Sequence, residues 1–517
     1  MIDLAPFKIF ADSNDWFEVW PELALALGAV FVLGLELFRS KELGRRSFAG
    51  PIAIFFQASL LVFHLIDYLV WHHPFDHETF SGLLNQSSRG EVMRSFFLLA
   101  SLLVSILGES CLRRRKLAGG EFHHLTMLAT AGLMLLVQSN HFLMLFVALE
   151  TVAICFYVLV AYQRDSVKSL EAGLKYLVFG ALSSSLLLFG IVLLYGVAVN
   201  PEAWGCVSTG MGLDDPFEFG YLAYFLEANS DNLILRAGVI LIISGIAFKI
   251  GAAPFQIWVP DVYHGSPMPV TAFLAVSSKA AGFFVLLNLV NGPFEGMSDF
   301  LLPILGFIAT LTILFGNLAA CAQRNLKRLL GLSGVAHAGY LLVGVIAAML
   351  SQTLQADWVI IFYLFTYLLG SFAVFGVMGL ANVPDDAEHE FSHYEALGQK
   401  NPFLAFVLSC GICSLAGVPP FAGFIAKLLL FVVAFKAKLY FSLAAMVVGV
   451  VISIYYYFGW LREVLFFPRP KFSDEEDGDP DPWDGLKLGG ILKLSLVILT
   501  AATLVFGIWQ GAFGDAF

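Results

Sequence analysis

The stretch Gly251-Ala252-Ala253-Pro254-Phe255-Gln256-Ile257-Trp258 has a near copy 166 residues further on, Gly417-Val418-Pro419-Pro420-Phe421-Ala422-Gly423-Phe424. Both read Gly-x-x-Pro-Phe-x-x-aromatic, and both interrupt long apolar runs. A proline inside a helix removes a backbone hydrogen bond and clashes with the preceding turn, so Pro254 and Pro420 are expected to break their helices. At membrane depth such backbone is tolerated only where protein buries it or where it lines a wet cavity. One proline of this kind reads as a packing kink. Matched interruptions in corresponding places of two halves instead point to an ion pathway.

Runs of about 20 apolar residues, the length a bilayer core requires, fall on both sides of these sites. They lie near 19–38, 50–71, 92–110, 122–139, 141–162, 174–199, 234–259, 269–291, 299–321, 330–350, 357–381, 403–435, 439–466 and 488–512, giving about fourteen spans. Helices are the only reading for runs of this length in lipid. The expected fold is therefore an all-α polytopic membrane protein with breaks in spans 7 and 12.

Composition agrees. The chain is 58% hydrophobic and 13% charged with a mean hydropathy of +0.80, whereas soluble domains carry about 25% charged residues. Fifty Phe and 47 Gly suit lipid-facing surfaces and close helix packing. The net charge of −11 is concentrated in short loops such as Asp385-Asp386-Ala387-Glu388-His389-Glu390 and Asp474-Glu475-Glu476-Asp477, so it says little about partners. Residues 1–17 carry Asp3, Lys8, Asp12 and Asp15 and lack a signal-peptide layout, so span 1 is expected to be retained. Cys410 and Cys413 form the only C-x-x-C, without a second pair or nearby histidines, and read as helix-packing residues. With no dinucleotide fingerprint, P-loop or haem-attachment motif, no cofactor or metal is expected on this chain.

Basic residues follow spans 1, 3, 5 and 9: Arg39, Lys41, Arg45 and Arg46; Arg113, Arg114, Arg115 and Lys116; Arg164 and Lys168; Arg324, Lys327 and Arg328. All four loops fall on one side, read as cytoplasmic, which places both termini outside. Lys436 and Lys438 run against this pattern. Because the two break motifs are five spans apart, the second copy crosses the membrane in the opposite sense. The expected organisation is residues 1–120 (spans 1–3), 121–295 and 296–467 (inverted five-helix repeats, spans 4–8 and 9–13), and 468–517 (a loop and span 14). Segments 200–233 and 468–487 are expected to be extramembrane loops.

A few ionisable residues stand inside these spans, at about 3 kcal/mol each. They are Glu150 in span 5, Lys249 just before the first break, Lys279 in span 8, His337 in span 10 and Lys427 after the second break. A lysine stripped of hydration loses its preference for the charged form, and a nearby carboxylate restores it. Pairing and unpairing such groups is a proton switch, and Ser184, Tyr340 and His337 are candidates to relay between them. His337 also reads as a neutral packing histidine. Lys175 follows Glu171 by one turn at the start of span 6, which fits an ordinary helix pair reaching the interface as well as a relay. His64 and Asp67 fall outside the repeats, and Glu22 and Glu36 lie near the ends of span 1, where interfacial solvation is the simpler account.

Four segments carry a family resemblance: Leu170-Glu171-Ala172-Gly173-Leu174-Lys175-Tyr176, Pro269-Val270-Thr271-Ala272-Phe273-Leu274-Ala275-Val276-Ser277-Ser278-Lys279, Gly316-Asn317-Leu318-Ala319-Ala320-Cys321-Ala322-Gln323-Arg324 and Ala336-His337-Ala338-Gly339-Tyr340. In this order they resemble the N-subunit family of bacterial respiratory complex I, the proton-translocating NADH-quinone oxidoreductase, whose mitochondrial counterpart is subunit 2. The resemblance runs from about residue 90 to 465. It implies antiporter-like repeats with a half-channel in each, Glu150 and Lys249 as a coupling pair, Lys279 as the span 8 relay and Lys427 as the second-half lysine. It also implies a bacterial inner-membrane protein among neighbouring antiporter-like and small subunits. NADH, FMN, iron–sulfur clusters and quinone would belong to partner subunits. The competing readings are a subunit of a multi-subunit Na⁺/H⁺ antiporter, against which the span 8 lysine stands, and a scaffold with a degenerate channel, which gains nothing from the cost of these charges.

Overall fold

In a computed structural model the described residues are 14–37, 48–70, 77–115, 117, 119–207, 215–350, 356–383, 385–466, 482–483, 486 and 488–509, and most of them are helical. Spans 1 to 6 are Trp20–Leu37, Ala49–Val70, Ser88–Arg115, Gly120–Gln138, Phe142–Val160 and Val167–Val199. Span 7 is Leu233–Ile250 followed by Trp258–Gly265, and span 8 is Met268–Val290. Spans 9 to 11 are Ser298–Cys321, Leu326–Leu350 and Ala356–Met378. Span 12 is Pro402–Ala416 followed by Ala422–Lys436, and spans 13 and 14 are Tyr440–Leu465 and Gly490–Ile508. Among the described residues twelve helices are long and apolar enough to cross a bilayer. The other two of the fourteen are span 4, which carries Glu121, His123 and His124 in its first turns, and the divided span 12. A hairpin of His77–Thr79 and Leu84–Gln86 joins spans 2 and 3, and Phe219–Ala228 forms a helix in the loop before span 7.

Caps explain where the boundaries differ from expectation. Span 6 begins at Val167 because the Ser166 side chain accepts from the Ser169 N–H, which brings Glu171 and Lys175 inside the helix. Span 10 begins at Leu326, where the Asn325 side chain accepts from the N–H groups of Lys327 and Arg328. Lys327, expected in a loop, is therefore helical and fully buried.

Both breaks form at the expected places, but glycine rather than proline ends each helix. Gly251 and Gly417 adopt left-handed conformations, φ 73° and 82°, three residues before the prolines. This is the helix-terminating geometry glycine adopts without a steric penalty. The hydrogen bonds match at the same offset: Ala252 N–H donates to Ala247 O (2.8 Å) and Val418 N–H to Cys413 O (3.0 Å). One turn on, Phe255 N–H donates to Ala252 O (2.7 Å) and Phe421 N–H to Val418 O (3.1 Å). Ala253-Pro254 and Pro419-Pro420 are both cis.

Spans 8 and 10 are enclosed on all sides, which suits helices that are apolar all round. Outer spans turn Leu27, Phe31, Phe55, Phe63, Phe189, Phe307 and Tyr455 outward, a surface that matches lipid. Helices meet closely at small residues: a Cβ on Gly190 would lie 2.6 Å from Gly238 O, and one on Gly316 would lie 2.5 Å from Ala336 N.

Basic residues that follow spans 3, 5 and 9 converge on the acidic loop after span 11. Lys168 bonds Asp385 (2.9 Å) and Glu388 (2.6 Å), Arg115 bonds Asp386 (2.9 Å), and buried Lys327 reaches Asp386 at 3.3 Å. Asp386 also accepts the N–H of Met268 at the start of span 8 (2.9 Å). Burial opposes ionisation of Asp386, but Lys327, then His389 and Arg115, hold its carboxyl well below the usual carboxylate range. The charge of this loop is thus spent on bonds within the chain. Arg39, Lys41, Arg45, Arg46 and Lys116, and most of segment 468–487, lie outside the described residues.

Candidate functional site

In the second half, Lys427 is 4% exposed and points back at the break. Its Nζ donates to the carbonyls of Leu415 and Ala416, 2.9 Å each, the last two of the first piece of span 12. Helix-terminal carbonyls lack intrahelical donors and carry the negative end of the dipole, so a cation fits there. The same Nζ lies 5.5 Å from the centre of the Tyr340 ring. Tyr340 sits edge-on to His337 (centroids 5.9 Å apart), and His337 Nδ1 hydrogen-bonds Tyr363 Oη at 2.7 Å.

His337 in turn packs against Tyr367, with centroids 5.0 Å apart, and Lys279 Nζ stands 5.5 Å from the centre of that ring. Lys279 is buried and donates to Gly334 O at 2.5 Å, where a Cβ on Gly334 would come within 2.7 Å of the ammonium. Lys279 directly follows a π-helical turn, Leu274–Ser278, a feature frequent at functional sites.

The first half is built differently. Lys249 is the second-to-last residue of the first piece of span 7 and is half-buried. It makes no hydrogen bond or ion pair among the described residues. It lines a cavity of about 20 Å³, bounded also by Leu133, Leu149, Tyr176 and Ser278, enough for about one water. Glu150 acts on it through space, beyond the 4.0 Å of an ion pair, and accepts the Ser184 hydroxyl. Ser278, on the wall of this cavity, is the neighbour of Lys279, so the two halves meet at span 8.

The structure thus brings Glu150, Lys249, Lys279, His337 and Lys427 into one row, with Pro254 and Pro420 in the two breaks it passes. Lys175 stands apart. It is about a third exposed on the basic face and bonds Glu171 and Asp261 (2.7 Å each), with Arg328 on the other Asp261 oxygen (2.6 Å). Tyr363 and Tyr367 escaped the sequence reading. Their spacing of four, which puts both on one helix face, was the available signal. Glu22 corrects an expectation: it is 3% exposed and paired with Arg94 at 2.6 Å, not solvated at an interface. Among the described residues no group of three or more His, Cys, Asp or Glu side chains is placed to hold a metal ion.

The profile of the NADH:quinone oxidoreductase/Mrp antiporter transmembrane family matches residues 139–453. The NADH-quinone oxidoreductase subunit N 1 of Opitutus terrae is 48% identical over 99% of both chains, and that of Rhizobium meliloti is 35% identical over 87% of this chain and 88% of its own. A chain of respiratory complex I from Thermus thermophilus superposes with a TM-score of 0.74 at 29% identity, covering 95% of this chain and 97% of that one. A chain of the Mrp complex from Dietzia shares the fold, with a TM-score of 0.77 at 20% identity over 97% of this chain and 96% of its own. Fold, paired breaks and full-length identity agree: the chain belongs to the NADH:quinone oxidoreductase/Mrp antiporter transmembrane family, among its N subunits.

Proposed function

We propose that this chain is the non-redox, proton-translocating N subunit of a bacterial NADH-quinone oxidoreductase, carrying protons along the row from Glu150 to Lys427. The observation that carries the reading is the row itself: five ionisable side chains within the membrane-spanning bundle, spaced by aromatic side chains and small cavities. Loss or gain of the Glu150 field on Lys249 changes that lysine's hold on its proton. The proton then passes through the Ser278 wall to Lys279, and by Tyr367, His337 and Tyr340 to Lys427. Moving a charge against the membrane potential costs about 2.3 kcal/mol per 100 mV, which redox chemistry in neighbouring subunits supplies. NADH, FMN, iron–sulfur clusters and quinone are bound by those subunits. The repeats divide at 121–295 and 296–467, and the chain lies in the inner membrane with the basic face inward and both termini outside. Lys175 anchors the basic face in this reading and does not relay.

The test is Lys249→Ala in the assembled complex, reconstituted in vesicles. Protons moved per NADH oxidised should fall while assembly and uncoupled NADH oxidation persist. An undiminished yield removes Lys249 from the path.

A further inference from the structure

Spans 1 to 4 enclose buried polar groups that the row above does not use. On span 3, Glu91, Arg94, Ser101, Ser105 and Glu109 follow one another at intervals of three, seven, four and four residues, which keeps them on one helix face. From Arg94 to Glu109 this face covers about 22 Å. At the end away from the basic face, Arg94 bonds Glu22 (2.6 Å) and Glu91 (2.5 Å), Glu22 accepts from Gln138 (2.7 Å), and His64 stands 3.7 Å from Glu91. In the middle, Gln57 bonds Ser105 (3.0 Å) and Ser101 (3.3 Å), all three fully buried. At the basic face, Glu109 lies 3.5 Å from buried His123. Gly50 leaves room for that pair, since a Cβ there would come within 1.9 Å of the Glu109 carboxylate.

Burying the Glu22–Arg94 pair is expensive, and such pairs are weak evidence for stability. A second observation points to water. A cavity of about 60 Å³ adjoins the pair, lined by Asp67, His64 and Gln86, with room for a few waters. Gln86 is 2% exposed and its Oε1 has no hydrogen-bond partner among the described residues, an acceptor that water in this cavity would satisfy.

We propose that spans 1–4 hold a second proton path, apart from the row that runs from Glu150 to Lys427, with rungs at Glu22/Arg94/His64, Gln57/Ser101/Ser105 and Glu109/His123. At each serine the hydroxyl oxygen takes up one proton and releases its own to the next acceptor, so the hydroxyl is regenerated. Gln57 holds both serines in place. Between Arg94 and Ser101, about 10 Å of helix, the same face carries the buried Leu98, and this apolar stretch closes the path in the present conformation.

This inference rests on the reading that the chain conducts protons, so the test keeps the two apart. Protons translocated per NADH oxidised are measured for the whole complex in vesicles. Gln57→Leu should lower the yield while uncoupled NADH oxidation stays at the wild-type rate, and Gln57→Glu should retain it. The pair Ser101→Ala with Ser105→Ala removes two hydroxyls with little change in volume and should show the same loss; it decides the matter if Gln57→Leu does not assemble. A wild-type yield in the serine pair, alongside a reduced yield in Lys279→Ala, overturns the second path and leaves the first. Wild-type yields in both overturn the reading on which it rests.

Discussion

The two breaks share a backbone and differ in their lysines. Gly251 and Gly417 end their helices in the same left-handed geometry, with the same hydrogen bonds 166 residues apart. Lys427 lies after its break, folds back and caps the freed carbonyls, so it is held at 2.9 Å by two acceptors. Lys249 lies before its break, faces a small cavity and makes no hydrogen bond or ion pair among the described residues, with Glu150 beyond ion-pair distance. The duplicated backbone supplies a place for a charge, and the position of the lysine along it sets whether that charge is fixed or free to change. A tightly held lysine suits a terminal or storage position, and a loosely held one suits a switch.

The largest effect is expected where the two halves are tied together. Asp386 joins the start of span 8, buried Lys327 of span 10 and the loop leading to span 12. Asp386→Asn leaves Lys327 a buried, poorly compensated charge, a loss of about 3–5 kcal/mol. Thermal unfolding in detergent should register it, with the alignment of the breaks lost as the halves separate. The pH dependence follows from the depressed carboxyl. A folded-state value below the unfolded one gives stability that is present above the ordinary carboxylate range and is lost as pH falls through and below it. Asp386→Asn should flatten that acid limb.

The comparison sharpens with two matched substitutions. Lys427→Met strips the donor from the Leu415 and Ala416 carbonyls and should cost about 1–3 kcal/mol. Lys249→Met removes no hydrogen bond and should stay within about 0.5 kcal/mol of wild type. Equal losses in thermal unfolding would erase the distinction between a held and a free lysine. Finer still are the glycines. Alanine at either site must adopt a left-handed conformation, at about 1–2 kcal/mol. Only Gly417→Ala would also press a Cβ to 2.8 Å from Lys427 Cδ, whereas Gly251→Ala meets Val259 at 3.0 Å. Gly417→Ala should therefore lower proton yield as well as stability, and Gly251→Ala stability alone.

Much of this was legible in the sequence because lipid enforces simple rules. The spans, the paired breaks and the lysines inside them stand out against an apolar background, and helices form at each, although spans 6 and 10 begin earlier than their apolar runs. What escaped depended on three-dimensional company. Tyr363 and Tyr367 are ordinary aromatics within an apolar run, and only folding sets Tyr363 against His337 and Tyr367 between His337 and Lys279. The π-turn before Lys279 has no residue signature. Asp386 reads as one acid in a charged loop, and Lys327 as one base in another, until burial makes each the other's requirement. Glu22 sits near a span end, where solvation is the default, yet Arg94, 72 residues away, draws it inside.

Lys279 stands where the two halves join, so replacing it asks most directly whether the row carries protons. In Lys279→Ala complex reconstituted in sealed vesicles, simultaneous recording of NADH oxidation and proton uptake should give fewer protons per NADH, with oxidation surviving when the gradient is collapsed. A stoichiometry identical to wild type would contradict the account.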